Sequence, residues 1–177
     1  MKALGTEAAD FTLPDPVTEA MTSLSHVQGE KGTLVMFICN HCPYVKHIAD
    51  EMARLGEEYI PRGIGFVAIN SNDAERYPQD GPEMMAEESR RRGYPFPYLF
   101  DQSQAVARQY DAACTPDFFL FNSDLQLVYR GQFDDSRPGN DLPVTGRDMR
   151  KALDQLLAEE EISGDQKPSI GCNIKWK

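Results

Sequence analysis

The sequence predicts an α/β domain built on a strand–helix–strand crossover, and three stretches carry that reading. The apolar run Leu34–Ile38 has the length and branching of a buried strand, and a helical pattern follows it almost at once. A second apolar run, GFVAIN over residues 65–70, comes after Pro61-Arg62-Gly63 has stopped that helix. Strand, helix and strand at this spacing imply a right-handed parallel crossover. Further on, Phe118–Phe121 and Leu125–Arg130 flank the turn Asn122-Ser123-Asp124, the pattern of a hairpin.

The remaining elements follow in order. Phe11 and Leu13 alternate before the turn Pro14-Asp15-Pro16, and Gly29-Glu30-Lys31-Gly32 is a second turn that feeds the buried strand. In the first long helix, Val45, Ile48, Ala49, Met52, Leu55 and Tyr59 share one face. Residues 71–81 read as polar loop. Pro82–Arg92 reads as a helix with acids early, three arginines late and Gly93 closing it, which complements the helix dipole. A short strand is expected around Tyr98–Phe100 and a short helix over Ala105–Tyr110. The segment Phe133–Val144, rich in Asp, Pro and Gly, reads as a mobile loop. Thr145 to Asp148 resembles a capping box that starts the last helix, whose core face is Met149, Ala152, Leu153, Leu156 and Leu157. The final residues hold Ile170, Cys172, Ile174 and the chain's single Trp, Trp176. A disordered terminus rarely carries such residues, so the tail is expected to dock.

At 177 residues the chain suits one domain, 1–177: an N-terminal extension over 1–33, a core over 34–161 and a tail over 162–177. A net charge of −10 argues against nucleic acid and anionic membrane as partners. The start, MKALGTEAADFTLP, lacks the basic region and apolar stretch of a signal peptide, so a cytoplasmic location is expected. Thiols there are normally reduced, and a Cys-x-x-Cys is then catalytic or metal-binding rather than a structural staple.

That motif is Cys39-Asn40-His41-Cys42, and Pro43 after it suits the first turn of a helix because the amide it lacks has no helical partner there. A cysteine delivered by a strand to a helix N-terminus meets partial positive charge and free amides, which favour thiolate, the nucleophile. A protonated His41 would push the same way. Zinc is the rival reading, since two cysteines at this spacing are half a structural zinc site. The other half would have to come from Cys114, Cys172 or a histidine, all scattered.

The segment LVMFICNHCPYVK resembles the thioredoxin superfamily, nearest its redoxin and peroxiredoxin-like (AhpC/TSA-type) branch. The tail GCNIKWK resembles an uncharacterised peroxiredoxin-like group that shares CNHCPYV. The resemblance implies a thioredoxin-like three-layer α/β sandwich with an N-terminal β-hairpin extension and a docked C-terminal tail. Family spacing of a strand phenylalanine, a lysine and a tyrosine fits Phe37, Lys46 and Tyr59 when counted from Cys42, not from Cys39. On that alignment Cys42 is the nucleophile, Val45 replaces the usual resolving cysteine, and Met36 stands at the family's buried acidic position. Cys39, Cys172 and Cys114 are then the candidate resolving thiols. Thr115-Pro116 matches the family's cis-proline step, where it would face Cys42 and leave the Thr115 backbone free for an extended substrate segment; Pro43 belongs to the same surface.

The implied activity is thiol–disulfide exchange with a protein or small-molecule disulfide and a cellular reductant, with no cofactor and no metal. Peroxide reduction is a second implication. The peroxidatic pattern places a proline and a threonine seven and three residues before the cysteine. Val35 and Cys39 stand there before Cys42, and Gly32 and Met36 before Cys39. Metal binding or delivery through Cys39, Cys42 and a histidine is the third reading.

Overall fold

The computed structural model describes residues 2–177. In chain order the elements are β1 (Thr12–Pro14), β2 (Met21–Ser23), α1 (Leu24–Val27), β3 (Gly32–Phe37), α2 (Pro43–Tyr59), β4 (Ile64–Asn70) and α3 (Pro82–Arg92). There follow β5 (Tyr98–Phe100), α4 (Ala105–Tyr110), β6 (Cys114–Thr115), β7 (Asp117–Asn122), β8 (Leu127–Tyr129), α5 (Arg147–Leu157) and β9 (Cys172–Asn173). The central sheet has the order β5-β4-β3-β7-β8. The strands β3, β4 and β5 are parallel, while β7 and β8 run antiparallel to their neighbours. The crossover and the C-terminal hairpin are therefore halves of one mixed sheet.

Strand β3 lies at the centre and is buried on both faces, which is why its apolar run is continuous rather than alternating. The period of two sorts its side chains. Leu34 and Met36 join the cluster packed by α2, α3 and α5, through Val45, Met52, Met85 and Met149 among others. Val35 and Phe37 face the other way, against Phe11 and Leu13 of the N-terminal hairpin and Val106 and Tyr110 of α4. Helices on both faces of a sheet, with β1 and β2 as a separate antiparallel pair, make the expected three-layer sandwich with its hairpin extension. No helix among the described residues is long and apolar enough to cross a membrane.

Two local expectations are corrected. The capping box at Thr145–Asp148 does not form. Instead Gly146, in the left-handed region at φ 63°, caps α5, and the buried Asp134 carboxylate accepts the Thr145 and Gly146 amides at 2.8 and 2.7 Å. That carboxylate also explains why the loop after β8 is not loose at its start. Phe133, Asp134 and Ser136 are buried, and Arg137 donates to the Asp134 carbonyl at 2.6 Å.

The tail docks as expected, though not chiefly through Trp176. Ile174, 3% exposed, is its buried residue, while Trp176 is half-buried with the Arg108 guanidinium 4.4 Å from its ring centroid. Strand β9 then pairs antiparallel with β6, setting Cys172 opposite Thr115.

Candidate active site

Cys42 is the N-cap of α2, with Pro43 as the first helical residue. Its extended backbone (φ −68°, ψ 124°) turns the chain from the end of β3 into the helix, and its carbonyl accepts the Val45 and Lys46 amides at 3.1 and 3.0 Å. The side chain is fully buried. Its sulfur lies 2.9 Å from Cys172 Sγ, and its thiol form donates to the Thr115 carbonyl at 3.3 Å. Cys39 Sγ sits 3.4 Å from Thr115 Oγ1. Three cysteines, two from the loop after β3 and one from the tail, thus meet around the Thr115-Pro116 bond, which is cis.

The surroundings assign the protons. Hydrogen bonding from the Cys39 thiol is the largest influence on Cys42, followed by burial, which opposes it; the Cys172 thiol and the Val45 and Cys172 amides also donate. The donors prevail, and the Cys42 thiol is pulled down to about 4. The same shared proton raises Cys39 strongly, helped by burial and by the Asp80 charge. Cys172 is pushed up to about 11 by burial first and then by Cys42, and Cys114 up to about 12 by burial and Asp117. One thiolate among four cysteines is therefore favoured, on Cys42.

Cys114 is adjacent to this group but does not join it. Neighbouring residues on a strand point to opposite faces, so while Thr115 faces Cys39 and Cys42, Cys114 turns toward the Pro116 carbonyl at 3.5 Å. It lines a separate depression with Asp111, Asp117 and Arg130.

His41 is also displaced from its expected role. Its Nδ1 pairs with Asp80 Oδ2, and its ring stacks on Tyr77 with 5.2 Å between centroids. The groups that lower Cys42 are thiols and amides, and His41 is engaged elsewhere. Sequence reading missed Asp80, which it left inside a polar loop. This carboxylate is fully buried and accepts from the Asn40 amide at 2.7 Å and from Asn72 Nδ2 at 2.9 Å, besides His41. Asn40 in turn donates to the Gln79 carbonyl and accepts from Tyr98. The loop carrying the two cysteines is thereby tied to the loop after β4. Its signal in the sequence was positional: loops at the carboxyl ends of adjacent parallel strands converge, and sites form there.

Removing this carboxylate strands several buried donors. We expect Asp80→Ala to lower stability by roughly 3–5 kcal/mol, the usual cost of breaking one side of a buried polar pair. Urea unfolding of the reduced proteins checks this, and an unchanged midpoint would refute it.

For a metal, the nearest set is Cys39, His41 and Asp80, whose ligand atoms lie within 4.8 Å of one another. It differs from the expected Cys39, Cys42 and histidine. The Asp80 oxygens in this set are already occupied by His41, Asn40 and Asn72.

The expectation for Thr115 needs the largest correction. Its backbone is not open to a substrate strand, because β9 of the same chain already pairs there. The crevice beside Pro116, lined by Tyr44, His47, Phe133, Ser169 and Ile170, retains only about 20 Å³, room for one water-sized body. Pro43 remains exposed at the rim.

Residues 4–130 match the AhpC/TSA family. The chain belongs to that family. Among solved structures it is similar to an uncharacterised conserved protein from Geobacillus kaustophilus, at 55% identity and TM-score 0.98, covering 100% of this chain and 94% of that one. Among curated proteins it is similar to the thiol-disulfide oxidoreductase ResA of Halalkalibacterium halodurans, 27% identical over 124 residues. That match covers 70% of this chain and 65% of ResA, so it spans just under two thirds of the relative's length. The thioredoxin domain of a thiol-disulfide oxidoreductase from Bacteroides vulgatus, 17% identical with TM-score 0.64 over 86% of this chain and 99% of that one, shares the fold alone.

Proposed function

We propose that the protein is a thiol–disulfide oxidoreductase in which Cys42 is the nucleophile and Cys172 the resolving thiol. The Cys42 thiolate attacks a substrate disulfide, one substrate sulfur leaves as thiolate, and Cys42 carries the mixed disulfide. Cys172 then attacks the Cys42 sulfur, and the second substrate sulfur departs. The product is a Cys42–Cys172 disulfide, returned to dithiol by a cellular thiol reductant.

The observation that carries this reading is the approach of Cys172 Sγ to 2.9 Å from a cysteine whose thiol is pulled down to about 4. Cys39 is the alternative partner. In the free enzyme its proton is held by the hydrogen bond to Cys42, by burial and by the Asp80 charge; burial and Asp80 still act once Cys42 carries the mixed disulfide, which disfavours Cys39 as an attacking thiolate.

Disulfide mapping after stoichiometric oxidation tests the assignment, alongside reduction of insulin disulfides. We expect a peptide joining Cys42 to Cys172, with Cys39 and Cys114 alkylatable. A Cys39–Cys42 peptide with Cys172 still free would make the tail a strap only. Peroxide reduction is a second reading, supported by the family match and by a nucleophile buried away from large substrates. Hydrogen peroxide consumption above that of Cys42→Ser would select it.

A further inference from the structure

At the end of the sheet remote from the cysteines the chain encloses a cavity of about 540 Å³. Glu30 and Lys31, just before β3, and Asn122, at the end of β7, stand on its lip. Strand β3 therefore separates it from Cys42 by a strand's length, roughly 20 Å. Its lining is largely aliphatic: Leu127, Val128, Leu156, Leu157 and Ile162, together with Leu4, which is 44% exposed. The Gly5 amide fixes the Leu4 side by donating to the Leu127 carbonyl at 2.8 Å. The core face expected for α5 runs out here. Met149, Ala152 and Leu153 are buried, whereas Leu156 and Leu157 stay half-buried because they line the cavity.

The rim of this aliphatic cavity is negative. Glu30, Glu159, Glu160 and Glu161 face Lys31 alone, and among the described residues none of these four carboxylates forms an ion pair or a side-chain hydrogen bond. Three of them follow the C-terminus of α5, whose last turn holds no basic residue. A helix C-terminus carries partial negative charge and ordinarily recruits cations, so this run of acids adds to the field instead of cancelling it. The run is held in place, with the Glu160 amide donating to the Gln155 carbonyl at 2.9 Å and Gln155 Nε2 to the Glu161 carbonyl at 3.3 Å.

We propose that this cavity binds a linear aliphatic polyamine, with methylene segments on Leu156, Leu157 and Ile162 and ammonium groups at the glutamates. A bare metal cation would leave the leucines uncovered, and a neutral hydrocarbon would leave the carboxylates without a counter-charge. Methylenes alternating with charged nitrogens answer both surfaces. The net charge of −10 draws such a cation toward the protein, and the aliphatic lining fixes it at this place. No cysteine takes part, so the inference goes beyond the proposed function and stands or falls apart from it.

The test titrates spermidine into the reduced, nitrogen-15-labelled full-length protein and follows the amide chemical shifts. Saturable binding at a single site is expected, with the largest shifts at Leu4, Leu127, Leu156, Leu157 and Ile162. Magnesium probes charge alone. At equal charge concentration it should leave the spermidine shifts in place, because it cannot cover the leucines. Displacement by magnesium would overturn the inference, as would largest shifts around the cysteines. Joint replacement of Glu159→Gln, Glu160→Gln and Glu161→Gln should weaken spermidine binding by about tenfold or more. Leu4→Ser should weaken it by about threefold. All four side chains are exposed, so the fold survives these changes, and the spectrum itself reports it. Unchanged affinity in the triple variant, or no saturation with wild type, would overturn the proposal.

Discussion

Cys42→Ser is expected to reduce insulin-disulfide reduction to the uncatalysed background and to remove an ultraviolet thiolate absorbance that titrates near pH 4. Both effects follow from the one strongly depressed thiol, pulled down to about 4 by donors from Cys39, Cys172 and the backbone. The absorbance measurement does not depend on reagent access, which matters for a fully buried sulfur. Stability should follow the same titration. The folded pKa lies below the unfolded value of about 8.5, so the thiolate's contribution is complete above that range. It is lost as pH falls through about 4. The reduced wild type should therefore lose stability relative to Cys42→Ser on acidification across that window. Should the thiolate band survive in Cys42→Ser and vanish in Cys39→Ser, the nucleophile has been misassigned.

Gly171→Ala, a single added methyl, is expected to release the strap. A Cβ at this position would stand 2.0 Å from the Thr115 carbonyl oxygen and 2.7 Å from its carbon, both backbone atoms that cannot swing aside. Gly171 is not among the glycines with positive φ, so the contact alone accounts for the penalty. Strand β9 must then leave β6, which withdraws the Cys172 thiol and amide from Cys42 and opens the nucleophile to solvent. Oxidation should no longer give the Cys42–Cys172 cross-link, and alkylation of Cys42 should accelerate by on the order of tenfold or more as burial is lifted. Unchanged alkylation together with an unchanged cross-link would mean that the tail tolerates the methyl and that its seating is looser than the contact implies.

Much of the architecture was legible because local signals and global layout agree. The run Leu34–Ile38 implied burial on both faces, Pro43 marked the first turn of α2, and the apolar spacing from Val45 to Tyr59 gave its buried side. Cys42 could be preferred over Cys39 because the family spacing to Phe37, Lys46 and Tyr59 fits it and because the helix begins immediately after it. The illegible parts depend on contacts between distant segments. His41 looked like a modulator of the thiolate until Asp80, supplied by the loop after β4, took its Nδ1. Nothing local in residues 71–81 distinguishes a solvated acid from the fully buried one found there. The Thr115 edge was recognisable as a strand-pairing site, but its occupant lies 57 residues further along the chain, and no periodicity reports such a pairing.

The distance in sequence between Cys42 and Cys172, 130 residues, also sets an order of events during synthesis. A chain made from its N-terminus at about 5–20 residues per second exposes the Cys39–Cys42 loop roughly ten seconds before Cys172 has been polymerised. In that interval β3, α2 and β4 can assemble, but the sulfur at the head of α2 has only Cys39 as a neighbouring thiol. The nascent chain therefore passes through a stage in which the Cys42 sulfur is uncovered and Cys172 does not yet exist. The residues that close the site are made 130 positions after the sulfur they cover.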